Sequence, residues 1–103
     1  MNKIMWKLRE KRVAERIRLK FTPDKRKVYE DKVEEIKINP YKGEMKTGPL
    51  KGIRVLSFNY QGSTESIAYR VDTKNHSITI LYYGTHENFY KRLRNTLTSF
   101  QER

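Results

Sequence analysis

Three apolar-rich runs, GIRVLSFNY (residues 52–60), SIAYRVD (66–72) and SITILYY (77–83), lie close together in this chain. They are rich in β-branched and aromatic residues, which pack well on a pleated sheet surface. The segments between them, QGSTE (61–65) and TKNH (73–76), are rich in residues that favour turns. The pattern predicts a three-stranded antiparallel meander, in the only part of the chain that is apolar enough to seed a core.

Helical spacing of apolar residues precedes the meander. Residues 9–21 place Ala14, Ile17 and Phe21 on one face, which predicts a first helix. Thr22-Pro23-Asp24 then predicts a second helix start, because Thr caps well, Pro suits the first helical position and Asp favours the positive end of the helix dipole. A second apolar stripe ends at Asn39-Pro40 and contains Tyr29, Val33 and Ile36. The two helices are expected to form a hairpin packed on the sheet.

Three flanking segments complete the predicted order. In residues 3–8 (KIMWKL), Ile4 and Trp6 alternate with Lys3, Met5 and Lys7, and we expect a first strand there rather than a helix start. Residues 41–51 (YKGEMKTGPLK) are expected to form a connector, since they contain two glycines and a proline. Residues 88–103 have an apolar stripe at helical spacing and predict a C-terminal helix.

Charge is the strongest compositional signal. The 103 residues, expected to form one domain, include 23 Lys and Arg against 12 Asp and Glu, for a net charge of +11. Such a surface attracts polyanions, so nucleic acid is the first expected partner, ahead of an acidic protein or an anionic membrane. The alternative is a basic surface that only keeps the protein soluble.

Other functional classes are excluded or disfavoured. The chain has no cysteine, so disulfides and thiolate chemistry are excluded. Its two histidines are far apart in sequence, so a zinc site is not expected, and no cofactor is implied. No run approaches the ~20 apolar residues that span a bilayer, and the N-terminal residues lack the apolar core of a signal peptide. We therefore expect a cytoplasmic protein without a membrane partner.

Four segments together carry a family likeness: EDKVEEIKINPYKG (30–43), GPLKGIRVLSF (48–58), SIAYRVDTKNHSITILYYG (66–84) and THENFYKRL (85–93). They resemble the RelE/ParE superfamily of type II toxin–antitoxin toxins. The likeness covers nearly the whole chain in order. It implies an α+β fold of order β-α-α-β-β-β-α, with a curled antiparallel sheet packed on a helical hairpin, as one toxin domain over residues 1–103.

The resemblance implies one of two activities. RelE-like members enter the ribosomal A site and cleave mRNA without a metal, whereas ParE-like members inhibit DNA gyrase. Of these we expect the RelE-like mRNA interferase; the alternatives are a gyrase inhibitor and a non-catalytic RNA-binding relative. The implied partners are a cognate antitoxin, in a hetero-oligomer, and mRNA on the ribosome with its ribosomal RNA.

His86 and Tyr90 are the first candidate site residues. Metal-free RNA cleavage needs a base, an acid and cations that stabilise the phosphorane. His86 follows the last strand, where RelE-like toxins place a functional Arg or His, and an imidazole can exchange protons near neutral pH. Tyr90 stands where relatives have a functional tyrosine that can stack on a base. The alternatives are a loop histidine and a tyrosine that packs the C-terminal helix.

Strand residues supply the other candidates. Arg70 alternates with Ile67, Tyr69 and Val71, and Arg54 alternates with its apolar neighbours, so we expect both arginines on an open face contacting phosphate. The alternative for Arg70 is an ion pair with Asp72 or Glu65. Ser66 stands where these toxins usually have an arginine. Glu65 is a candidate general base or, alternatively, a solvated turn residue.

Basic residues around the sheet are expected to hold the RNA backbone by salt-dependent contacts. Relatives use lysines near the connector, which favours Lys42, Lys46 and Lys51. Lys91 and Arg92 are the corresponding candidates in the tail. The alternative is that these basic side chains are simply solvated and bind no RNA.

Overall fold

The structure, a computed structural model, describes residues 6–100 and the side chains of residues 6–98. In this part of the chain the three α-helices are α1 (Arg12–Leu19), α2 (Pro23–Ile38) and α3 (Phe89–Phe100), and two short 3₁₀-helices, Pro40–Lys42 and Gly48–Leu50, lie in the connector. The five strands are β1 (Lys7–Glu10), β2 (Glu44–Met45), β3 (Arg54–Tyr60), β4 (Ser63–Asp72) and β5 (Ser77–Thr85). The α+β class and the predicted element order are confirmed, with the addition of the two-residue strand β2.

One five-stranded sheet has the strand order β1-β5-β4-β3-β2. Strands β3, β4 and β5 form the predicted antiparallel meander, and β1 pairs in parallel with β5. The β3–β4 turn consists of Gln61 and Gly62, both at positive φ, which is the geometry preferred in two-residue hairpins. This turn places Tyr60 opposite Ser63 and thereby sets the register of the hairpin.

The N-terminal boundaries differ from the prediction. The first strand is Lys7–Glu10 rather than residues 3–8, of which residues 3–5 lie outside the described part. Helix α1 therefore begins at Arg12, not at Arg9, because the backbone of residues 7–10 extends alongside β5 and Lys11 N donates to Ile80 O at 2.9 Å. The predicted start of α2 is confirmed: Thr22 accepts a hydrogen bond from Lys25 N, and Pro23 is the first helical residue.

The sheet has two faces with different coverings. The face that carries Ile67, Tyr69 and Ile80 packs against α1 and α2, and we call it the α1/α2 face. The predicted stripe of α2 lies buried against it. The face that carries Ser66, Ala68 and Arg70 is the α3 face, because Phe89 and Leu93 of α3 pack there on Ala68 and its neighbours.

A β-bulge in β5 increases the apolar area beneath α3. Ala68 pairs with Tyr82 but Tyr69 pairs with Ile80, so Leu81 is the extra residue. Leu81 and Tyr82 both belong to the cluster beneath α3. The open face expected from the sequence is consequently covered in its middle, and polar side chains remain accessible at its two ends.

Candidate functional site

The first polar end of the α3 face lies where β5 leads into α3. Ser57 Oγ and Ser66 Oγ are 2.8 Å apart across the β3–β4 pair, and Gly84 is the partner of Ser66 on β5. Ser66 is only 1% exposed. The residue that replaces the family's usual arginine is therefore a buried member of a serine pair, and it offers no charge to a phosphate.

His86 extends this end into solvent. Its N–H donates to Thr64 O at 2.8 Å, and its carbonyl accepts from Phe89 N at 3.1 Å, so the main chain is held on both sides. The side chain is exposed. Within the described residues, nothing is found to hydrogen-bond or ion-pair with the imidazole, which leaves it available to a ligand.

Lys46 and Tyr90, two predicted site residues, are in contact. Lys46 Nζ lies 5.2 Å from the centre of the Tyr90 ring. Hydrogen bonds with Glu44 and then Tyr90 raise the pKa of Lys46 above its ordinary value, because they favour the ammonium form. Tyr90 is half-buried, and its ring also meets Phe89 edge to face, so part of the ring packs on the cluster beneath α3. The contact brings a cation and an aromatic ring together beside the first turn of α3.

Arg54 is not on the α3 face. It pairs with Tyr69, whose ring lies in the core beneath α2, so Arg54 points to the α1/α2 side. There Nη1 donates to Gly43 O at 2.8 Å, and the guanidinium lies 5.1 Å from the Tyr41 ring centre. The expectation that Arg54 and Arg70 share one open face is wrong.

Arg70 lies on the α3 face but at its other end. It pairs with Thr79, whereas His86 is bonded to Thr64, six residues earlier on β4. At ~3.3 Å per strand residue, this is a separation of about 20 Å. His86, Arg54 and Arg70 therefore do not surround one phosphodiester. The alternative for Arg70, an ion pair with Asp72 or Glu65, is not found among the described residues either.

Glu65 is buried, and the interpretation of it as a solvated turn residue is wrong. The side chain is 2% exposed and accepts a 2.6 Å hydrogen bond from Tyr29 Oη. Lys25 Nζ lies 3.3 Å from its other carboxylate oxygen. The carboxylate thus belongs to the packing between α2 and the sheet, on the face opposite Ser66.

The remaining predicted cations differ in their surroundings. Lys42 forms a 3.1 Å ion pair with Glu35 of α2. Lys51 is exposed in the turn before β3, and Lys91 is exposed on α3. Arg92 is also exposed and lines a groove of about 390 Å³ with Thr85 and Glu87. Of these four side chains, Arg92 is the one that shares a groove with the residues around His86.

Sequence reasoning missed two features of the α3 face. The Ser57–Ser66 pair depends on the register of the hairpin, which local spacing does not give. The one local signal is that Ser57 is a polar residue between two apolar residues of the same run. The helical spacing predicts Arg9 in a helix, yet it belongs to β1 and lies opposite Thr79. The alternation of residues 6–10 was the available signal.

No group of three or more His, Cys, Asp or Glu side chains that could hold a metal ion is found within the described part of the chain. No helix there is long and apolar enough to cross a membrane.

Residues 8–94 match the family model described as the ParE-like toxin of type II bacterial toxin–antitoxin systems. The chain belongs to this family. Comparison of this ParE-like toxin with curated proteins finds no match.

Solved structures share the fold of this ParE-like toxin. The RelE toxin of E. coli, as a mutant in the free state, is similar at a TM-score of 0.73 and 11% identity, over 93% of this chain and 97% of RelE. The RelBE2 toxin–antitoxin complex of Mycobacterium tuberculosis is similar at a TM-score of 0.68 and 18% identity, over 82% and 95% of the two chains. The intact E. coli RelBE complex gives a TM-score of 0.64 at 15% identity, over 77% and 94%. The expected RelE/ParE superfamily fold is thereby confirmed.

Proposed function

We propose that this ParE-like toxin cleaves mRNA on the ribosome, with His86 as the proton-transferring group. The observation that carries the proposal is the exposed imidazole of His86, which is held by its main chain at the polar end of the α3 face and has no partner within the described residues. An antitoxin neutralises the toxin, as the solved RelBE complexes of similar fold suggest.

The proposed chemistry uses the RNA itself as nucleophile. The 2′-oxygen attacks the adjacent phosphorus while His86 takes the 2′-hydroxyl proton, and the bond between phosphorus and the 5′-oxygen breaks to leave a 2′,3′-cyclic phosphate. Water, which reaches this exposed position, gives a proton to the departing 5′-oxygen. Tyr90 stacks on a base, and Lys46 beside it contributes positive charge. Arg92, in the groove next to Thr85, is the further cation within this region. With Ser66 in place of an arginine, the site has fewer fixed cations, so we expect activity to depend on the ribosome for substrate positioning.

The antitoxin is expected to be acidic. The toxin has a net charge of +11, so an acidic amphipathic segment would bind its basic helices or sheet face by complementary charge. The open reading frame next to the toxin gene is the first place to look for it.

Primer extension on translated mRNA after brief expression tests the proposal. We expect the unmodified toxin to produce breaks within codons and His86→Ala to abolish them. Glu87→Gln is the matched control, because Glu87 is exposed in the same loop and the change removes only its charge. Thermal unfolding of the three proteins separates lost chemistry from lost structure. In-codon cleavage by a folded His86→Ala protein would contradict the proposal.

Gyrase inhibition is the second candidate. It is favoured by the separation of His86, Arg54 and Arg70, since binding to a protein target does not require these groups to converge. A supercoiling assay with purified gyrase distinguishes the two: inhibition together with intact mRNA would support this alternative.

A further inference from the structure

Three side chains form a row at the other end of the α3 face. Arg9 of β1 is the register partner of Thr79 of β5, and Thr79 is the partner of Arg70 of β4. Partnered residues of neighbouring strands project to the same face, so two guanidiniums flank one hydroxyl. With strands ~4.8 Å apart, the Arg9 and Arg70 backbones are separated by about 10 Å.

The two arginines are not neutralised within the protein. Both are exposed, and among the described residues neither guanidinium has a hydrogen bond or an ion pair. Two carboxylates lie beside this row in the sequence or the sheet, and both have other partners. Glu10, which follows Arg9, binds Arg18 and Tyr83 on the opposite face. Asp72, on the next row, accepts hydrogen bonds from the backbone and side-chain amides of Asn75.

A groove of about 450 Å³ lies along this row. It is lined by Arg9, Thr79 and Arg70, with Lys11, Glu10 and Leu81 at its margins. Leu81 is the one apolar residue that lines it, and three of the other five lining residues are cationic. Lys7 follows on the next row of the same face. Charge and composition therefore favour phosphate over a peptide.

We propose that Arg9, Thr79 and Arg70 bind the phosphodiester backbone of RNA at a second site, remote from His86. Arginine forks pair with phosphate oxygens bidentately, and the Thr79 hydroxyl lies between them as a further donor. The two ends of the α3 face are about 20 Å apart, which corresponds to about six nucleotides at ~3.4 Å per stacked nucleotide. The choice of RNA as the source of the phosphate rests on the proposed function.

Binding of a fluorescent 2′-O-methyl RNA oligonucleotide tests the site without cleavage, because this RNA has no free 2′-hydroxyl to attack. Arg9→Ala/Arg70→Ala is compared with Arg12→Ala/Arg16→Ala, which removes two exposed arginines from α1 and the same total charge. We expect the first pair to weaken binding on the order of tenfold near physiological salt and to reduce the slope of log K against log salt by about 1.4. The control pair is expected to change both quantities much less.

Equal losses in the two double variants would overturn the second site, since they would show only the effect of net charge. Unchanged RNA binding with weakened binding of polyglutamate would also overturn it and assign the groove to an acidic protein. His86→Ala separates this proposal from the proposed function, because it is expected to bind the oligonucleotide normally while losing mRNA cleavage. If His86→Ala still cleaves but the arginine pair lowers RNA affinity, the catalytic proposal fails and the phosphate site stands.

Discussion

Glu65 Oε1 and Tyr29 Oη are joined by a 2.6 Å hydrogen bond between β4 and α2, inside the protein. Tyr29 Oη also lies 3.4 Å from the carbonyl oxygen of Gly84. Burial, and then the bond to Glu65, raises the pKa of Tyr29 far above its ordinary value, so the phenol stays a donor. The pair therefore supports the segment of β5 that leads to His86.

Tyr29→Phe is expected to lower the free energy of unfolding by about 1–3 kcal/mol, because it leaves a buried carboxylate without one of its donors. Urea unfolding measures the change. Tyr41→Phe is the matched control: Tyr41 is 49% exposed, and the change is expected to stay within about 0.5 kcal/mol. If the two substitutions lowered the free energy of unfolding equally, the Glu65–Tyr29 hydrogen bond would stabilise the protein no more than an exposed hydroxyl does.

Glu10 is expected to make the free energy of unfolding depend on pH in the acid range. Burial opposes its ionisation, but hydrogen bonds from Arg18 and Tyr83 outweigh burial and hold the pKa below its ordinary value of 4.5. A depressed folded-state pKa contributes stability that is present above pH 4.5 and is lost as the pH falls through the folded value. We therefore expect the unfolding free energy to decline less steeply below pH 4.5 in Glu10→Gln than in the unmodified protein. Denaturant unfolding at pH 5.5 and pH 3.5 measures the two slopes, and parallel slopes would exclude this role.

Much of the fold follows from local sequence patterns. The Thr22 cap, Pro23 and the buried stripe of α2 are local signals, and each appears in the structure as predicted. The meander is also local, since its turns are short and its strands are rich in β-branched and aromatic residues. The alternation of Ile67 and Tyr69 against Arg70 correctly separates the two faces of β4.

The candidate site was less predictable because it depends on register between strands. Alternation shows that Arg54 and Val55 point to opposite faces of β3, but not which of them shares a face with Arg70. That choice is made by the Gln61–Gly62 turn, which pairs Arg54 with Tyr69. The burial of Glu65 likewise depends on a partner 36 residues away on α2. A contact between residues so far apart in the sequence cannot be predicted from the spacing of residues within one segment.

Gly43→Ala is expected to destabilise the connector. A Cβ at Gly43 would lie 2.5 Å from Tyr69 Oη, which bonds to Gly43 N at 2.8 Å and Pro40 O at 2.7 Å. The φ of Gly43 is −73°, so the cost arises from this contact and not from backbone strain. Overpacking of this kind costs about 1–3 kcal/mol. In Gly43→Ala/Tyr69→Phe the clashing oxygen is absent, so the double variant should lose less unfolding free energy than the two single variants together. Urea unfolding measures the three losses, and strict additivity would contradict the explanation.

Leu93→Ala is expected to weaken the attachment of α3 to the sheet. Leu93 is fully buried in the cluster beneath α3 that contains Leu81 and Tyr82, the two neighbours that the β-bulge places on this face. Truncating a fully buried leucine costs about 2–5 kcal/mol, so the loss is comparable with the stability of a small domain. Leu97→Ala is the control, because Leu97 packs against the same cluster but is only half-buried, and its cost should be smaller. Amide hydrogen exchange locates the effect: we expect faster exchange in α3 of Leu93→Ala than in α2. Uniform acceleration throughout the protein would instead show that α3 and the sheet unfold as one unit.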